Sequence, residues 1–376
     1  MKQNKVISLV LNNFTNDSRV LKEAQSIQSF GYDIKVLALH ENGLKEHETV
    51  DEVSVHRIKL SSKNWSKNRF VQMFKYFELA AKVIKGYRKA NIVHCHDLSA
   101  LPIACLMKWL SLGKLKLIYD SHEYAVNDLP FESKSRQKIK KIIEGVLIKS
   151  ADAVITVSDG IANLYQQQYN LSTKPFVVLN CPKRQEVRPS NKLKSALGID
   201  DDCFVFLYQG VLSRGRGIQQ LIDAFKADKK TNRALVLMGY GELTDSIKAQ
   251  QDDRIFYHPA VPPSEILDYT SSADCGVALI EDSCLSYRYC LPNKMFEYFM
   301  AGLPVIVSNL PEMKAIVEKF NVGLVTPSND VSDFLSTIEN LQQISSSELS
   351  KQLELLNSEY NWISQANVLK DVYNGL

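Results

Sequence analysis

The chain has 376 residues, of which 45% are hydrophobic and 23% are charged. This composition fits a globular protein with two hydrophobic cores, and it argues against a disordered chain, a collagen-like repeat or a small disulfide scaffold. The 45 Lys and Arg residues and 42 Asp and Glu residues give a formal charge of +3, which is too even to indicate nucleic-acid binding by itself.

The cysteines and apolar runs favour a cytoplasmic protein. The seven cysteines are scattered without a Cys-x-x-Cys pair, so we expect free thiols rather than disulfides or a zinc ribbon. No apolar run reaches the ~20 residues that span a bilayer. The first apolar run, residues 6–11, is too short for the hydrophobic region of a signal peptide, so we predict a strand there.

The first half of the chain alternates short apolar runs with segments of helical period. The runs predict strands buried on both faces, at residues 6–11, 34–39, 92–95, 115–119, 153–157 and 176–179. Helix-like segments, such as residues 17–30 and 133–150, lie between several of them. This repetition predicts right-handed crossovers and a parallel sheet.

The same alternation begins again in the second half. We predict further strands at residues 204–207, 234–238, 255–257, 275–280, 304–307 and 323–325. Helical segments include residues 218–225 and 292–301, and residues 362–373 have the pattern of a terminal amphipathic helix. The polar segment 180–198 is the predicted interdomain linker. The pattern therefore predicts an α/β fold of two doubly wound, Rossmann-like domains that face each other across a cleft.

Ligands of open parallel sheets bind beyond the carboxyl ends of the strands, so the loops there matter most. The first of these loops, residues 12–19, contains no glycine, which disfavours a dinucleotide site. The loop at residues 208–217 contains Gly210, Gly215 and Gly217 with Arg214 and Arg216, and it opens a helix. These residue types suit a phosphate site, although a solvated basic turn is the alternative.

The segment 287–306 is the most specific part of the sequence. Pro292 is placed to begin a helix and Gly302 to end it. Lys294 and Glu297 share one face of that helix, where they could meet a phosphate and sugar hydroxyls. The alternative is an ordinary surface ion pair worth about 0.3–0.5 kcal/mol.

Together with the loop 237–241, these motifs resemble glycosyltransferase family 4, the retaining sugar-nucleotide transferases of GT-B fold. The resemblance implies an acceptor-binding domain at residues 1–182, joined by a returning C-terminal helix at 360–376, and a nucleotide-sugar-binding domain at 183–359. It also implies catalysis without a cofactor or a metal, because cations would stabilise the leaving diphosphate. The expected partners are a nucleotide-sugar donor and a glycan or lipid-linked acceptor.

The resemblance allows the functional residues of the family to be assigned to positions of this sequence. Glu297 matches the second glutamate of the Glu-x7-Glu motif, which contacts the ribose, but the first falls at Tyr289, so Glu281 or Asp282 would have to replace it. Val211 and Arg216 stand where the family usually has Arg and Lys in the phosphate loop. The resemblance therefore implies donor contacts from a larger set, which comprises Gly210, Gly241, Tyr289, Asn293, Lys294 and Glu297. Arg214, Arg216 and Glu297 would act in catalysis.

In the first domain, the resemblance implies that His122 reaches the donor sugar or its phosphate. Asn13, Arg19 and Asp97 are weaker acceptor-side candidates. The pair His94 and His96 has the spacing of two ligands on one face of a strand, but a third ligand is not evident, so we expect mainly a structural role and no metal.

Residues 61–90 contain eight basic residues and one acidic residue, with Trp65, Phe70, Phe74 and Phe77 interleaved, and residues 134–149 add a second basic segment. Such surfaces suit an anionic bilayer and a lipid-linked acceptor, and they equally suit solvated helix faces. We therefore expect a cytoplasmic transferase, associated with the inner face of the membrane if the first interpretation holds.

The sequence predicts a retaining, metal-independent transferase that uses a UDP-sugar in the synthesis of cell-surface polysaccharide or glycoconjugate. Two alternatives remain open: a nucleotide-sugar epimerase of the same fold, and a non-catalytic subunit that binds a sugar nucleotide or acts as a scaffold in a transferase complex. The second alternative rests on the substitutions at Val211 and Tyr289.

Overall fold

The computed structural model describes residues 4–341 and 345–376. The chain divides into two compact units. The N-terminal unit comprises Met1–Asn127, Glu132–Val178 and Ala366–Leu376, and the C-terminal unit comprises Asp128–Phe131 and Leu179–Gln365. The functional domain limits of 1–182, 183–359 and 360–376 stay predictions.

The N-terminal unit is built on one mainly parallel sheet. Its strands are β1 (Lys5–Leu9), β2 (Asp33–Leu39), β3 (His47–Val50), β4 (Val53–Ile58), β5 (Ile92–His96), β6 (Lys116–Asp120), β7 (Ala153–Thr156) and β8 (Phe176–Val177). They lie in the order β3-β4-β2-β1-β5-β6-β7-β8. The β3–β4 pair is antiparallel, whereas β1 pairs in parallel with both β2 and β5.

Helices connect these strands. They are α1 (Ser18–Ser29), α2 (Arg69–Tyr87), α3 (Asp97–Leu110), α4 (Lys134–Leu147) and α5 (Asp159–Tyr169). Asp17 caps α1 because its side chain accepts a hydrogen bond from the Val20 N–H. Asp97 begins α3 directly after β5 with φ at +64°, a left-handed conformation that is costly for a residue with a Cβ atom.

The C-terminal unit is a second doubly wound sheet. Its strands are β9 (Phe204–Val211), β10 (Arg233–Tyr240), β11 (Ile255–Pro259), β12 (Cys275–Ala278), β13 (Val305–Ser308) and β14 (Gly323–Thr326). They lie in the order β11-β10-β9-β12-β13-β14, and each neighbouring pair is parallel. Its core is apolar and includes Phe206, Phe225 and Phe334.

The helices of the C-terminal unit follow the strands. They are α6 (Lys192–Leu197), α7 (Ile218–Ala227), α8 (Thr244–Lys248), α9 (Ile266–Thr270), α10 (Leu285–Arg288), α11 (Asn293–Met300), α12 (Pro311–Phe320), α13 (Val331–Asn340) and α14 (Ser346–Glu359). The short helix α6 lies inside the segment predicted as a linker, which is therefore not irregular throughout.

The last helix, α15 (Trp362–Asn374), confirms the predicted terminal helix. Its residues from Ala366 onward belong to the N-terminal unit. There the Tyr373 hydroxyl lies 3.1 Å from His94 Nδ1, and its ring contacts Tyr32 edge-on. The two doubly wound parallel units and this returning helix confirm the predicted fold class.

Two further sequence expectations concern cysteines and membranes. Each of the seven cysteines is a free thiol within the described part of the chain. Among residues 4–341 and 345–376, every helix is too short or too polar to cross a bilayer.

Candidate donor and catalytic sites

Two glycine loops lie side by side at the carboxyl ends of β9 and β10. A Cβ atom on Gly239 would lie 1.8 Å from the Gly210 carbonyl oxygen, and one on Gly241 would lie 2.2 Å from the Leu212 carbonyl oxygen. The Leu212 N–H also donates to the Tyr240 carbonyl. Only glycine permits this approach of backbone to backbone, so both loops form one platform.

The first loop leads into the N-terminus of α7. Gly217 is the residue before the helix, with φ at +65°, and a Cβ atom there would lie 2.4 Å from the Leu279 Cβ. The amide groups of the first turn of a helix lack intrahelical partners and carry partial positive charge. This end of α7 is therefore suited to bind a phosphate group.

The two arginines of this loop differ in their surroundings. Arg216 is half-buried, and its guanidinium carbon lies 4.4 Å from the centre of the Tyr287 ring. Arg214 is exposed, and its backbone N–H donates to Glu242 Oε1 at 3.0 Å. The structure thus fixes the Arg216 side chain against an aromatic ring and leaves the Arg214 side chain at the surface.

Lys294, on the first turn of α11, packs against the same platform. Its Nζ lies 3.4 Å from the centre of the Tyr208 ring, and its Cε would lie 3.6 Å from a Cβ on Gly210. Burial lowers the pKa of Lys294 well below its usual value, and the nearby Arg216 charge lowers it further. An anion that approached the two side chains would relieve this repulsion.

Glu297 lies one turn further along α11. Its Oε2 accepts a hydrogen bond from Gln209 Nε2 at 2.5 Å, and Gln209 Oε1 accepts one from the Thr270 hydroxyl at 2.7 Å. Gln209 is buried at the end of β9, immediately before Gly210. Sequence reasoning missed Gln209 and Thr270, although a polar residue at the end of an apolar strand is a signal for Gln209.

The remaining predicted donor residues lie at the start of α11 and before it. Tyr289 is half-buried at the end of α10, and Asn293 is exposed at the first position of α11. Of the two carboxylates considered in place of position 289, Asp282 pairs with Arg288 at 2.9 Å. Glu281 accepts a hydrogen bond from Gln220 at 3.2 Å.

In the N-terminal unit, His122 lies just after β6 between two carboxylates. Its Nε2 lies 3.3 Å from Asp120 Oδ2, and its backbone N–H donates to Asp97 Oδ1 at 3.0 Å. Burial lowers the pKa of His122, but Asp97 and Asp120 outweigh that effect and raise it to about 9. The two carboxylates therefore favour the charged imidazolium form of His122.

Arg19 and Asp97 both contact neighbouring residues of the N-terminal unit. Arg19 is 4% exposed, and its Nη2 lies 3.0 Å from both oxygens of Asp120. Its Nη1 donates to the Val178 carbonyl at 2.7 Å. Asp97 orients His122 through the backbone contact described above. The structure gives both predicted acceptor-side residues partners within their own unit.

Asn13 lines a cavity of about 520 Å³ in the N-terminal unit. The cavity lies at the carboxyl ends of β1, β2 and β4, and α2 forms a further wall. Its lining is mainly apolar, with polar side chains from Asn13, Glu41, Gln72 and Lys75 among others. Asn13 Nδ2 donates to Glu41 Oε2. This is a concave place for a ligand with both apolar and hydroxyl groups.

The chain has two doubly wound parallel units, and the C-terminal unit carries a glycine platform, a helix N-terminus and adjacent cations. These are the features of a glycosyltransferase of GT-B fold. Residues 18–182 match the family model "Glycosyltransferase Family 4", and residues 203–343 match the model "Glycosyl transferases group 1". The chain belongs to the family 4 glycosyltransferases, which confirms the resemblance seen in the sequence.

Known proteins support the same class. The chain is 23% identical over 356 residues to chitobiosyldiphosphodolichol beta-mannosyltransferase of Candida albicans, across 86% of this chain and 77% of the relative. Sucrose-phosphate synthase from Thermosynechococcus elongatus matches with a TM-score of 0.79 at 14% identity, across 99% of this chain and 98% of that one. HepE of Anabaena in complex with UDP-glucose gives a TM-score of 0.78 at 14% identity, across 99% and 100%. These structural likenesses establish the fold.

Proposed function

We propose that the protein transfers a sugar, with retention of anomeric configuration and without a metal at the donor site, from a UDP-sugar to a glycan or lipid-linked acceptor. The products would be cell-surface polysaccharide or glycoconjugate. The observation that carries this proposal is the convergence of Arg216, Lys294 and Glu297 on the glycine platform before α7.

Each part of the donor has a partner in this arrangement. The N-terminus of α7, Arg216 and Lys294 bind the diphosphate, and their charges stabilise it as it leaves. Glu297 accepts hydrogen bonds from the ribose hydroxyls, with its carboxylate held by Gln209. The complexes of HepE with UDP-glucose and with UDP support a uridine donor.

Retention follows from attack on the same face that the diphosphate leaves, with the departing phosphate accepting the acceptor's proton. This route needs no enzymic nucleophile, so no side chain is assigned that role. The predicted participation of His122 in catalysis remains part of the proposal, and its positive charge suits an interaction with an anion rather than proton abstraction.

The acceptor proposal rests on the surface of the N-terminal unit. Helix α3 packs against both α2 and α4, and all three expose large apolar side chains. These are Phe70, Met73, Phe74 and Phe77 on α2, Leu106, Trp109 and Leu110 on α3, and Ile139, Ile142, Ile143 and Val146 on α4.

The α4 side chains form a stripe at helical spacing, whereas Glu144 is buried on the opposite face. Exposed Lys134, Lys138 and Lys141 flank the stripe. An apolar stripe bordered by lysines fits an anionic membrane surface. The Candida albicans relative is named for a dolichol-linked acceptor, which supports a lipid-linked acceptor here.

The test incubates the purified protein with UDP-sugars and lipid-linked acceptors and analyses the products by NMR. The proposal expects transfer with the donor's anomeric configuration retained and no change in rate when Mg²⁺ or Mn²⁺ is added. An inverted product would overturn retention, a question raised by the beta linkage in the relative's name.

A second candidate function is a non-catalytic sugar-nucleotide-binding subunit, which Tyr289 and Val211 favour. Such a subunit would bind UDP yet show neither transfer nor slow hydrolysis of any UDP-sugar. Conversion of a UDP-sugar to its epimer without acceptor would instead identify an epimerase.

A further inference from the structure

The N-terminal unit encloses a cluster of metal-ligating side chains that the donor chemistry does not use. Glu23 from α1, His94 and His96 from β5, and Asp120 from β6 each expose 2% or less of their surface. One ligand atom from each lies within 4.8 Å of the others. The sequence showed only the two histidines, because the carboxylates come from distant positions.

Outer hydrogen bonds orient both imidazoles toward the carboxylates. His94 Nδ1 lies 3.1 Å from the Tyr373 hydroxyl, and His96 Nε2 lies 2.9 Å from the Ser8 hydroxyl. The opposite ring nitrogens therefore face the cluster, where His96 Nδ1 also lies 3.1 Å from His122 Nε2, so a metal ion bound to His96 would replace this contact. Metal-bound histidines are commonly fixed by such partners on the outer nitrogen.

Three of the inner distances lie close to those of a metal centre. His96 Nδ1 lies 3.5 Å from Asp120 Oδ2 and 3.8 Å from Glu23 Oε2, and His94 Nε2 lies 3.8 Å from Asp120 Oδ2. Tetrahedral ligands at the usual Zn²⁺ bond lengths are about 3.4 Å apart. All four atoms lie within 4.8 Å of one another, so the longest distance would have to contract by up to about 1.4 Å to reach that geometry.

Three buried atoms of this cluster lie near charged groups but make no hydrogen bond with the residues that the structure describes. Among the described residues, Glu23 Oε1, Glu23 Oε2 and His94 Nε2 accept no hydrogen bond. Arg19 Nε lies 3.0 Å from Glu23 Oε1, outside hydrogen-bond geometry. Buried polar atoms without partners are rare and commonly mark a bound ion or water.

We propose that Glu23, His94, His96 and Asp120 bind one divalent transition-metal ion of the Zn²⁺ class. Four protein ligands in a buried setting are typical of a closed, structural centre rather than a catalytic one. The ion would join α1, β5 and β6, and through His94 it would support the packing of Tyr373. Arg19 and His122 place positive charge beside the cluster, and this charge weakens the binding of a cation. The experiment therefore measures the affinity of the cluster for the metal ion.

A second group of ligands requires a control. Glu46, immediately before β3, lies together with His47 on β3 and His56 on β4, and Glu46 and His47 are exposed at the surface. A cation bound there would imitate the buried centre. The experiment therefore uses the full chain carrying His47→Gln.

The protein is stripped with a chelator, dialysed and titrated with Co²⁺ and then Zn²⁺, with uptake followed by metal analysis and by the visible absorption of Co²⁺. We expect one equivalent with a tetrahedral Co²⁺ spectrum and a Zn²⁺-dependent rise in Tm. Glu23→Gln and His94→Gln should abolish both. Tyr373→Phe, which keeps all four ligands, should weaken binding ~10–100-fold.

His258→Gln, in the C-terminal unit, is the matched control and should leave binding unchanged. Circular dichroism establishes that each variant is folded. If Glu23→Gln or His94→Gln fails to fold, the Tyr373→Phe titration decides. Absence of uptake by the folded His47→Gln protein, or uptake unchanged in the folded ligand variants, overturns the proposal.

Discussion

Removal of the Glu297 carboxylate is the most direct perturbation of the proposed donor site. In Glu297→Ala, the ribose hydroxyls lose a charged acceptor. Hydrogen bonds to a charged group contribute about 1.5–3 kcal/mol, so UDP affinity should fall roughly 10- to 150-fold. Glu297→Gln keeps one neutral oxygen acceptor and should lose less, about 0.5–1.5 kcal/mol.

The local structure adds a stability effect. Gln209 is 2% exposed and donates to Glu297, so Glu297→Ala leaves a buried amide without that partner. An unsatisfied buried donor costs about 1–3 kcal/mol, and the Tm of the variant should fall. In Glu297→Gln, the new amide oxygen still accepts this bond, so the Tm should fall less.

Isothermal titration calorimetry with UDP measures the affinity, and a transfer assay measures the rate. Glu318→Ala, on the exposed face of α12, is the matched control and should change neither quantity. A folded Glu297→Ala protein that binds UDP as tightly as the parent would refute the ribose role of Glu297.

The remaining predictions concern the platform, Lys294 and the basic surface. Gly241→Ala should lower stability by ~1–3 kcal/mol in a denaturant melt, because the new methyl meets the Leu212 carbonyl. Gly86→Ala, inside α2 where an added Cβ atom would meet nothing within 4 Å, should instead raise it by ~0.5–1 kcal/mol, and equal effects at both sites would contradict the packing argument. Burial lowers the pKa of Lys294 in the protein without UDP, whereas a bound diphosphate favours the charged form of Lys294. UDP binding should therefore be accompanied by proton uptake at pH values above the Lys294 pKa of the free protein. Calorimetric heats in two buffers of different ionisation enthalpy should then differ for the parent and agree for Lys294→Arg, whose charge persists; agreement for both excludes the mechanism. Ile142→Ser with Ile143→Ser should reduce salt-sensitive binding to anionic liposomes, and unchanged flotation would exclude α4 as the contact.

The fold was predictable where the sequence follows one dominant period. Strands buried on both faces are continuous apolar runs, and the corresponding strands of both sheets appear at the predicted places with shifted ends. The strands β3 and β4 were not predicted. β3 reads His-Glu-Thr-Val and is partly exposed along its length, so it lacks an apolar run. Its pairing with β4 depends on the neighbouring strand rather than on its own composition.

The candidate site likewise contains some residues that could be predicted from the sequence and others that could not. Glycine and proline mark local backbone geometry, so the loops at Gly210 and Gly241 and the start of α11 were identifiable from single segments. Gln209 meets Glu297 across 88 positions, and such a pairing leaves no local trace. The four-residue cluster was invisible for the same reason, because Glu23 and Asp120 reach the histidines only through the sheet order.

Arg19 shows why a predicted role has to be weighed against burial. The sequence placed it in the first loop, where it suits an acceptor, yet its guanidinium neutralises the buried Asp120 and contacts Val178. Removal of one partner from a buried ion pair costs about 3–5 kcal/mol, because the other charge stays buried. Lost activity in an Arg19 variant would therefore not identify an acceptor contact, because the same substitution disturbs the fold around β6 and the position of His122. Asn13, which lines the 520 Å³ cavity, is the acceptor-side candidate whose substitution would be easier to interpret.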